Sequence, residues 1–221
     1  YNGTSSTKTT DNQNGCLKFY VFNDSETSSK LNLLLDHNTT GVTYWTNSSV
    51  NNNVNGPVTV LNKLKSDTNS WIGTETLSNR VVFQTDYGNY TLPYTDENYK
   101  ARLIMINEIV QITGHTNFYE NTIDNSTWFN FDTNSTTSST THNYGWLYDR
   151  TSTSCVSNGC LNNADSGMTG KGYWTGTSAF GYSVSAWDVG AGGYANKTGV
   201  TSNDSFGVRP VIEVLKSKLV K

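Results

Sequence analysis

GYWTGTSAFGYSVSAWDVGAGGYANKTGVTSNDSFGVRPVI, residues 172–212, sets three apolar pieces in polar filling. Tyr173-Trp174-Thr175, Ala186-Trp187-Asp188-Val189 and Val208-Arg209-Pro210-Val211-Ile212 read as short strands, because aromatic and β-branched side chains suit a pleated, half-buried surface. Gly, Ser, Asn and single aromatics occupy the intervals. This division predicts a rigid frame that presents loops, the arrangement in which binding residues ride on a fixed scaffold. Period-two alternation over residues 186–189 turns Trp187 inward and Asp188 outward.

Toward the N-terminus the chain carries further punctuated elements. Residues 17–22 and 30–36 flank a turn-rich interval and read as a hairpin. Asp36-His37-Asn38 ends its second strand, and turn capping by Asp or Asn is the reading preferred over a catalytic Asp-His pair. Asn55-Gly56-Pro57 opens VTVLNKLKSD, where Val58, Leu61 and Leu64 recur at helical spacing, Lys63 and Lys65 face outward, and Trp71 packs back on the helix. Residues 80–84 and 90–94 bracket Asp86-Tyr87-Gly88-Asn89 as a second hairpin. MINEIVQITG, residues 105–114, is a second helix with Glu108 in its first turn and Gly114 as its stop. Aromatics punctuate the Thr/Ser/Asn-rich residues 117–141 and predict packed irregular structure with a mobile tip at 133–141. Residues 1–15 are expected to be a flexible lead or linker and 16–221 a single domain.

Composition bounds the function. Charged residues make up 15% of the 221, so amides and hydroxyls supply the polar surface, and a formal charge of -3 gives no electrostatic basis for nucleic-acid binding. No apolar run reaches the ~18 residues of a membrane span. The chain starts at Tyr1 and is expected to be a mature or trimmed ectodomain, extracellular or at the cell surface, whose targeting or anchoring segment lies outside it. Cys155-Val-Ser-Asn-Gly-Cys160 places a turn between two thiols and predicts a disulfide closing a small loop; Cys16 is left as a buried thiol or the partner of a residue beyond the N-terminus. A zinc site is disfavoured, because these cysteines with His37, His115 and His142 match no ligand spacing. No cofactor is expected. Nor do the histidines pair with an activated Ser or Cys, so the expectation is that the chain is not an enzyme. Arg102 and Arg209 lie in apolar frames, and each is expected to pair with a carboxylate such as Glu108 or Glu213.

LLLDHNTTG at 33–41, NGPVTVL at 55–61, YKARLI at 99–104, YGWLYD at 144–149, GYWT at 172–175, AWDV at 186–189 and GVRPVI at 207–212 together resemble a poorly characterised family of bacterial surface or secreted domains. The resemblance implies an α+β, C-type-lectin-type fold with two helices, short antiparallel sheets and long irregular loops. Arg102-Leu103-Ile104 with Glu108, and Gly207-Val208-Arg209, are similar to motifs of formylglycine-generating enzymes; the late active-site cysteines of those enzymes have no counterpart after Cys160. Residues 176–206 look like the segment that retroelement-diversified variable proteins keep on a fixed Trp and Gly frame. Neither a Glu-Pro-Asn nor a Trp-Asn-Asp motif of lectin-type calcium binding occurs.

These readings converge on an adhesin- or receptor-like module that binds a protein or glycan on another cell or surface. Its expected ligand-binding residues are Phe180, Tyr182, Asp188, Tyr194, Asn196, Asn203, Asp204 and Phe206, since Tyr with Ser, Gly and Asn gives adaptable contact surface. The alternative is the self-assembling head of a pilus-like filament subunit.

Overall fold

The computed structural model describes residues 17–39, 42–47, 49, 51–72, 74–75, 83–85, 88–90, 99–114, 128–131, 144–148, 172–179, 181–190, 193–202 and 206–219. The expected lead at 1–15, Cys16, the Cys155/Cys160 disulfide, His115, His142, the tip at 133–141, Phe180, Asn203 and Asp204 lie outside these residues.

The fold is α+β. Strands β1 (Phe19–Asn23) and β2 (Lys30–Leu35) form the first hairpin, and β10 (Val211–Leu215) returns to pair with β2, giving a three-stranded antiparallel sheet in the order β1-β2-β10. Among the described residues the second sheet has seven strands: β3 (Phe83–Thr85), β4 (Gly88–Tyr90), β5 (Trp128–Asn130), β6 (Gly172–Ser178), β7 (Ser185–Gly190), β8 (Tyr194–Gly199) and β9 (Phe206–Gly207). Its order is β4-β3-β6-β7-β8-β5, and β9 also pairs with β6. This sheet corrects the expectation of short antiparallel sheets, because β3 and β9 both run parallel to β6. Strand β8 was hidden in the polar filling: Tyr-Ala-Asn-Lys-Thr-Gly has weak strand propensity, and pairing with β7 from Ser185 opposite Gly199 to Gly190 opposite Tyr194 makes it a strand.

Helices α1 (Val58–Thr68) and α2 (Ile106–Thr113) match the two predicted ones, and α3 (Gly145–Tyr148) is a single additional turn. In α1 the buried Val60, Leu61, Leu64 and Thr68 lie on one side. Glu108 receives the Met105 backbone N–H at 2.8 Å, which satisfies an orphan donor at the start of α2. Gly114 ends it with φ 66°, a left-handed conformation that costs glycine nothing.

Both faces of the seven-stranded sheet are covered at its central strands β6 and β7. Trp45, Leu61, Leu64, Leu103, Trp174, Ala186, Phe206 and Val208 belong to one apolar cluster, which includes α1. The other, with α2 and α3, contains Ile106, Ile109, Leu147, Tyr173, Trp187, Val189 and Ala195. Trp174 and Tyr173 are sequence neighbours pointing to opposite clusters, as the pleat requires. Every residue of β6 is buried. Gly172 at its start has φ 147°, and a Cβ there would overlap the Val189 carbonyl oxygen. Two indoles pin the frame, Trp45 donating to the Thr175 carbonyl at 2.8 Å and Trp174 to the Thr43 carbonyl at 2.7 Å.

The arginines divide differently from expectation. Arg102 does hold Glu108 in a two-pronged ion pair at 2.8 and 2.6 Å. Burial works against its charge, and Glu108 beside it more than compensates, so its pKa is raised. Arg209 pairs with no carboxylate among the described residues. Fully buried, it donates to the carbonyls of Leu35 (Nε, 2.7 Å), Asp36 (3.1 Å), Trp146 (2.7 Å) and Leu147 (2.6 Å), with its guanidinium carbon 5.1 Å from the centre of the Tyr173 ring. Five N–H donors in a planar fork can serve that many fixed acceptors, which a flexible ammonium cannot. Arg209→Met is expected to lower unfolding free energy by about 3–5 kcal/mol, and Arg209→Lys by less. The check is urea denaturation, where an unchanged midpoint in the Met variant would contradict this account.

Candidate functional site

A cleft of about 520 Å³ opens where α1 ends against the three-stranded sheet. Phe19 of β1, Leu35 at the end of β2, and Ile212 of β10 form its sheet wall together with Leu17, His37 and Thr39. The opposite wall comes from the last turn of α1 and the chain after it: Asp67, Ser70, Trp71, Ile72 and Thr74. The volume falls within the ~300–1,000 Å³ range of ligand sites, and such sites combine apolar walls with a few placed polar groups.

The polar groups are held in position. Asp67 accepts the Thr39 hydroxyl on Oδ2 at 2.8 Å and faces Lys63, one turn earlier on α1, at 3.3 Å from Oδ1. Thr39 is itself fixed, its backbone N–H reaching the Val208 carbonyl at 2.8 Å. Trp71 meets Phe19 edge to face, with centroids 5.8 Å apart. Lys100 bonds the Trp71 carbonyl at 2.6 Å. Ile72 stands 93% exposed at the cleft, while the Thr74 hydroxyl is buried with no hydrogen-bond partner among the described residues. Beside the cleft, Lys18 bridges the Tyr20 hydroxyl (2.8 Å) and Asp36 (3.1 Å). Burial and Asp36 both push the Tyr20 phenol up.

The Asp36-His37-Asn38 sequence makes contacts remote along the chain. Asn38 is buried and donates to the Gly172 carbonyl at 3.1 Å, tying the end of β2 to the start of β6. The Asp36 carbonyl receives Arg209, and His37, also buried, lines the cleft.

The residues expected to bind ligand do not form one surface. Asp188 is overturned as an outward-facing residue: it is 0% exposed, because the face opposite Trp187 is covered too. In the sheet it sits between Trp174 on β6 and Asn196 on β8. Phe206 is likewise buried, packed on Trp174 with centroids 4.9 Å apart. Tyr182, Tyr194 and Asn196 are half-buried. Tyr182 lies by the Ser185/Gly199 end of the β7–β8 hairpin and Tyr194 at the Gly190 end, so the pairing separates them. Tyr194 lies against Gly190, where any Cβ would overlap the ring. Lys197 places its ammonium 5.0 Å from the centre of the Tyr182 ring and 4.8 Å from that of Trp187. Asn53 clamps the β6–β7 connection, its amide reaching the carbonyls of Ala179 (3.2 Å), Tyr182 (3.0 Å) and Ser185 (2.7 Å).

Of the cleft residues, the sequence had pointed to His37, to Trp71 as a packing residue and to Ile212 in the apolar frame. Asp67 carried one usable signal, its position four residues after Lys63 on a predicted helix. Thr39 and Thr74 carried none, since their neighbours in the cleft are remote in sequence.

No family model, curated protein or solved structure matches this chain.

The Asp188 carboxyl has neither oxygen in a hydrogen bond of ordinary geometry among the described residues. Burial raises its pKa well above the carboxylate range, and the Thr198 side chain opposes this only in part. The folded protein therefore keeps this proton at pH values where the unfolded chain, with an Asp pKa near ~3.9, has released it. The stability it contributes is fully present below that value and is lost as pH rises through the folded pKa. Asp188→Asn is expected to remove that part of the pH dependence and to be the more stable protein at pH 7. Denaturation midpoints of both proteins from pH 4 to 8 test this; parallel curves would count against it.

Proposed function

We propose that this chain is a cell-surface or secreted ligand-binding module of C-type-lectin-type architecture, and that its ligand seats in the cleft between α1 and the β1-β2-β10 sheet. Two principal helices and a three-stranded antiparallel sheet among the described residues support this reading. Low charge and a surface rich in Asn, Thr and Ser suit an extracellular setting.

One observation carries the reading: the cleft's polar groups are locked before any ligand arrives. Asp67 is held by Thr39 and Lys63, and Thr39 by the β9–β10 connection at Val208. Groups already ordered in the free protein lose little entropy on binding, so more of the contact energy appears as affinity. Tyr182, Tyr194 and Asn196 remain partly accessible but separated, which favours the cleft as the main site.

The experiment is a screen on an array of neutral and charged glycans and a panel of extracellular proteins, with wild type, Trp71→Ala and Tyr182→Ala compared after circular dichroism confirms folding. Trp71→Ala is expected to weaken binding by about tenfold or more, as loss of an aromatic anchor does, while Tyr182→Ala binds as wild type. The reverse pattern would move the ligand to the late segment. Absence of any bound partner would overturn the module reading.

A further inference from the structure

We infer that Lys100 is the positioning residue of the cleft: its ammonium holds the chain that leaves α1, and with it Trp71, at a fixed distance from the sheet wall. That this distance governs affinity rests on the cleft reading above. The hold itself is a property of the free protein.

The two walls are remote in sequence, and residues 99–102 span them. Lys100 donates from Nζ to the Asn69 carbonyl at 2.8 Å and to the Trp71 carbonyl at 2.6 Å. Farther along the same segment, Arg102 exchanges backbone hydrogen bonds with Val211, its N–H reaching the Val211 carbonyl at 2.9 Å and its carbonyl receiving the Val211 N–H at 2.7 Å. Ile212, the next residue of β10, lines the sheet wall. Tyr99 and Ala101, on either side of Lys100, are buried in the same apolar cluster as Leu61 and Leu64 of α1. The lysine stem therefore leaves a packed backbone, and one side chain joins the helix-side wall to the strand that carries Ile212.

The helix-side wall has need of such a tie. Helix α1 ends at Thr68, and its cap, Asn69, keeps helical dihedrals instead of the left-handed turn with which Gly114 closes α2. The Asn69 and Trp71 carbonyls thus lie past the last turn of the helix with no following turn to bond them. An ammonium at a helix C-terminus serves both carbonyls at once and suits the negative end of the dipole. Beyond the cap, the Trp71 N–H reaches the Thr68 carbonyl at 3.0 Å and the indole meets Phe19 edge to face. Ile72 follows at 93% exposure and adds little packing. The next described backbone tie is at Glu75, whose N–H bonds the Glu213 carbonyl at 3.0 Å. Lys100 is half-exposed, so losing its bonds weighs on local order at Trp71 rather than on global unfolding.

The test is amide hydrogen exchange followed by NMR on the whole chain, comparing wild type, Lys100→Met and Lys100→Arg. Methionine keeps much of the apolar stem and removes the charge and donors; arginine keeps both. In Lys100→Met the Trp71 amide is expected to exchange about tenfold faster or more and the Trp71–Phe19 ring contacts to weaken, while the Arg102 and Val211 amides exchange as in wild type. Lys100→Arg is expected to stay within about threefold of wild type at Trp71. Unchanged exchange and ring contacts at Trp71 in Lys100→Met would overturn the inference. An equal loss of protection at Arg102 and Val211 would also overturn it, by making Lys100 a general support of the core, as would an arginine variant no better protected than the methionine one. None of these readings needs a ligand, so the inference and the cleft reading fail separately.

Discussion

The Arg209 guanidinium is the constraint on which the rest of the architecture hangs. A charge with no solvent exposure is tolerated only where its donors are satisfied, and here the acceptors are main-chain carbonyls from two remote segments, residues 35–36 and 146–147. The ring of Tyr173 completes the enclosure, and burial pushes its phenol pKa up to about 12. One side chain thus joins the end of β2, the turn of α3 and the start of β6. Because His37 and Thr39 follow the bonded carbonyl of Asp36, the sheet wall of the cleft depends on the same contact.

A second consequence follows from covering both faces of the seven-stranded sheet. In a sheet with one wet face, polar residues between apolar ones point to water, and the strand shows which are available. Here the polar residues of β6, and Asp188 of β7, are internal. Thr175 bonds the Trp187 carbonyl at 2.8 Å, Thr177 receives the Ile106 N–H at 3.0 Å, and Asp188 is buried beside Trp174. Within the late segment, β6 and β7 are therefore scaffold. Concave, pre-ordered chemistry lies instead where the first hairpin, the end of α1 and the last strand meet.

Local signals carried well. The first hairpin, α1 after Asn55-Gly56-Pro57, and α2 between Glu108 and Gly114 follow from turn chemistry and spacing, which act within a few residues. The Arg102–Glu108 pair was legible for the same reason, since six residues separate its partners. Strand β8 was not, because Ala195, Asn196 and Lys197 have no strand preference and follow the pairing that β7 imposes. Asp188 misled because alternation reports which residues share a face and says nothing about whether that face is covered.

By itself the sequence determined the class of fold, the two helices and the glycine stop of the second, the apolar frame of the late strands and the poverty of charge. Each of these depends on neighbours along the chain. Only the tertiary structure decided that Arg209 bonds carbonyls rather than a carboxylate, that Asp188 is internal, and that Thr39, Asp67, Trp71 and Thr74 line one cleft. The physical reason is the same in all three: each outcome is set by which remote segment is packed opposite. That is a property of strand order and of layers laid on both faces of a sheet, and no window of residues contains it.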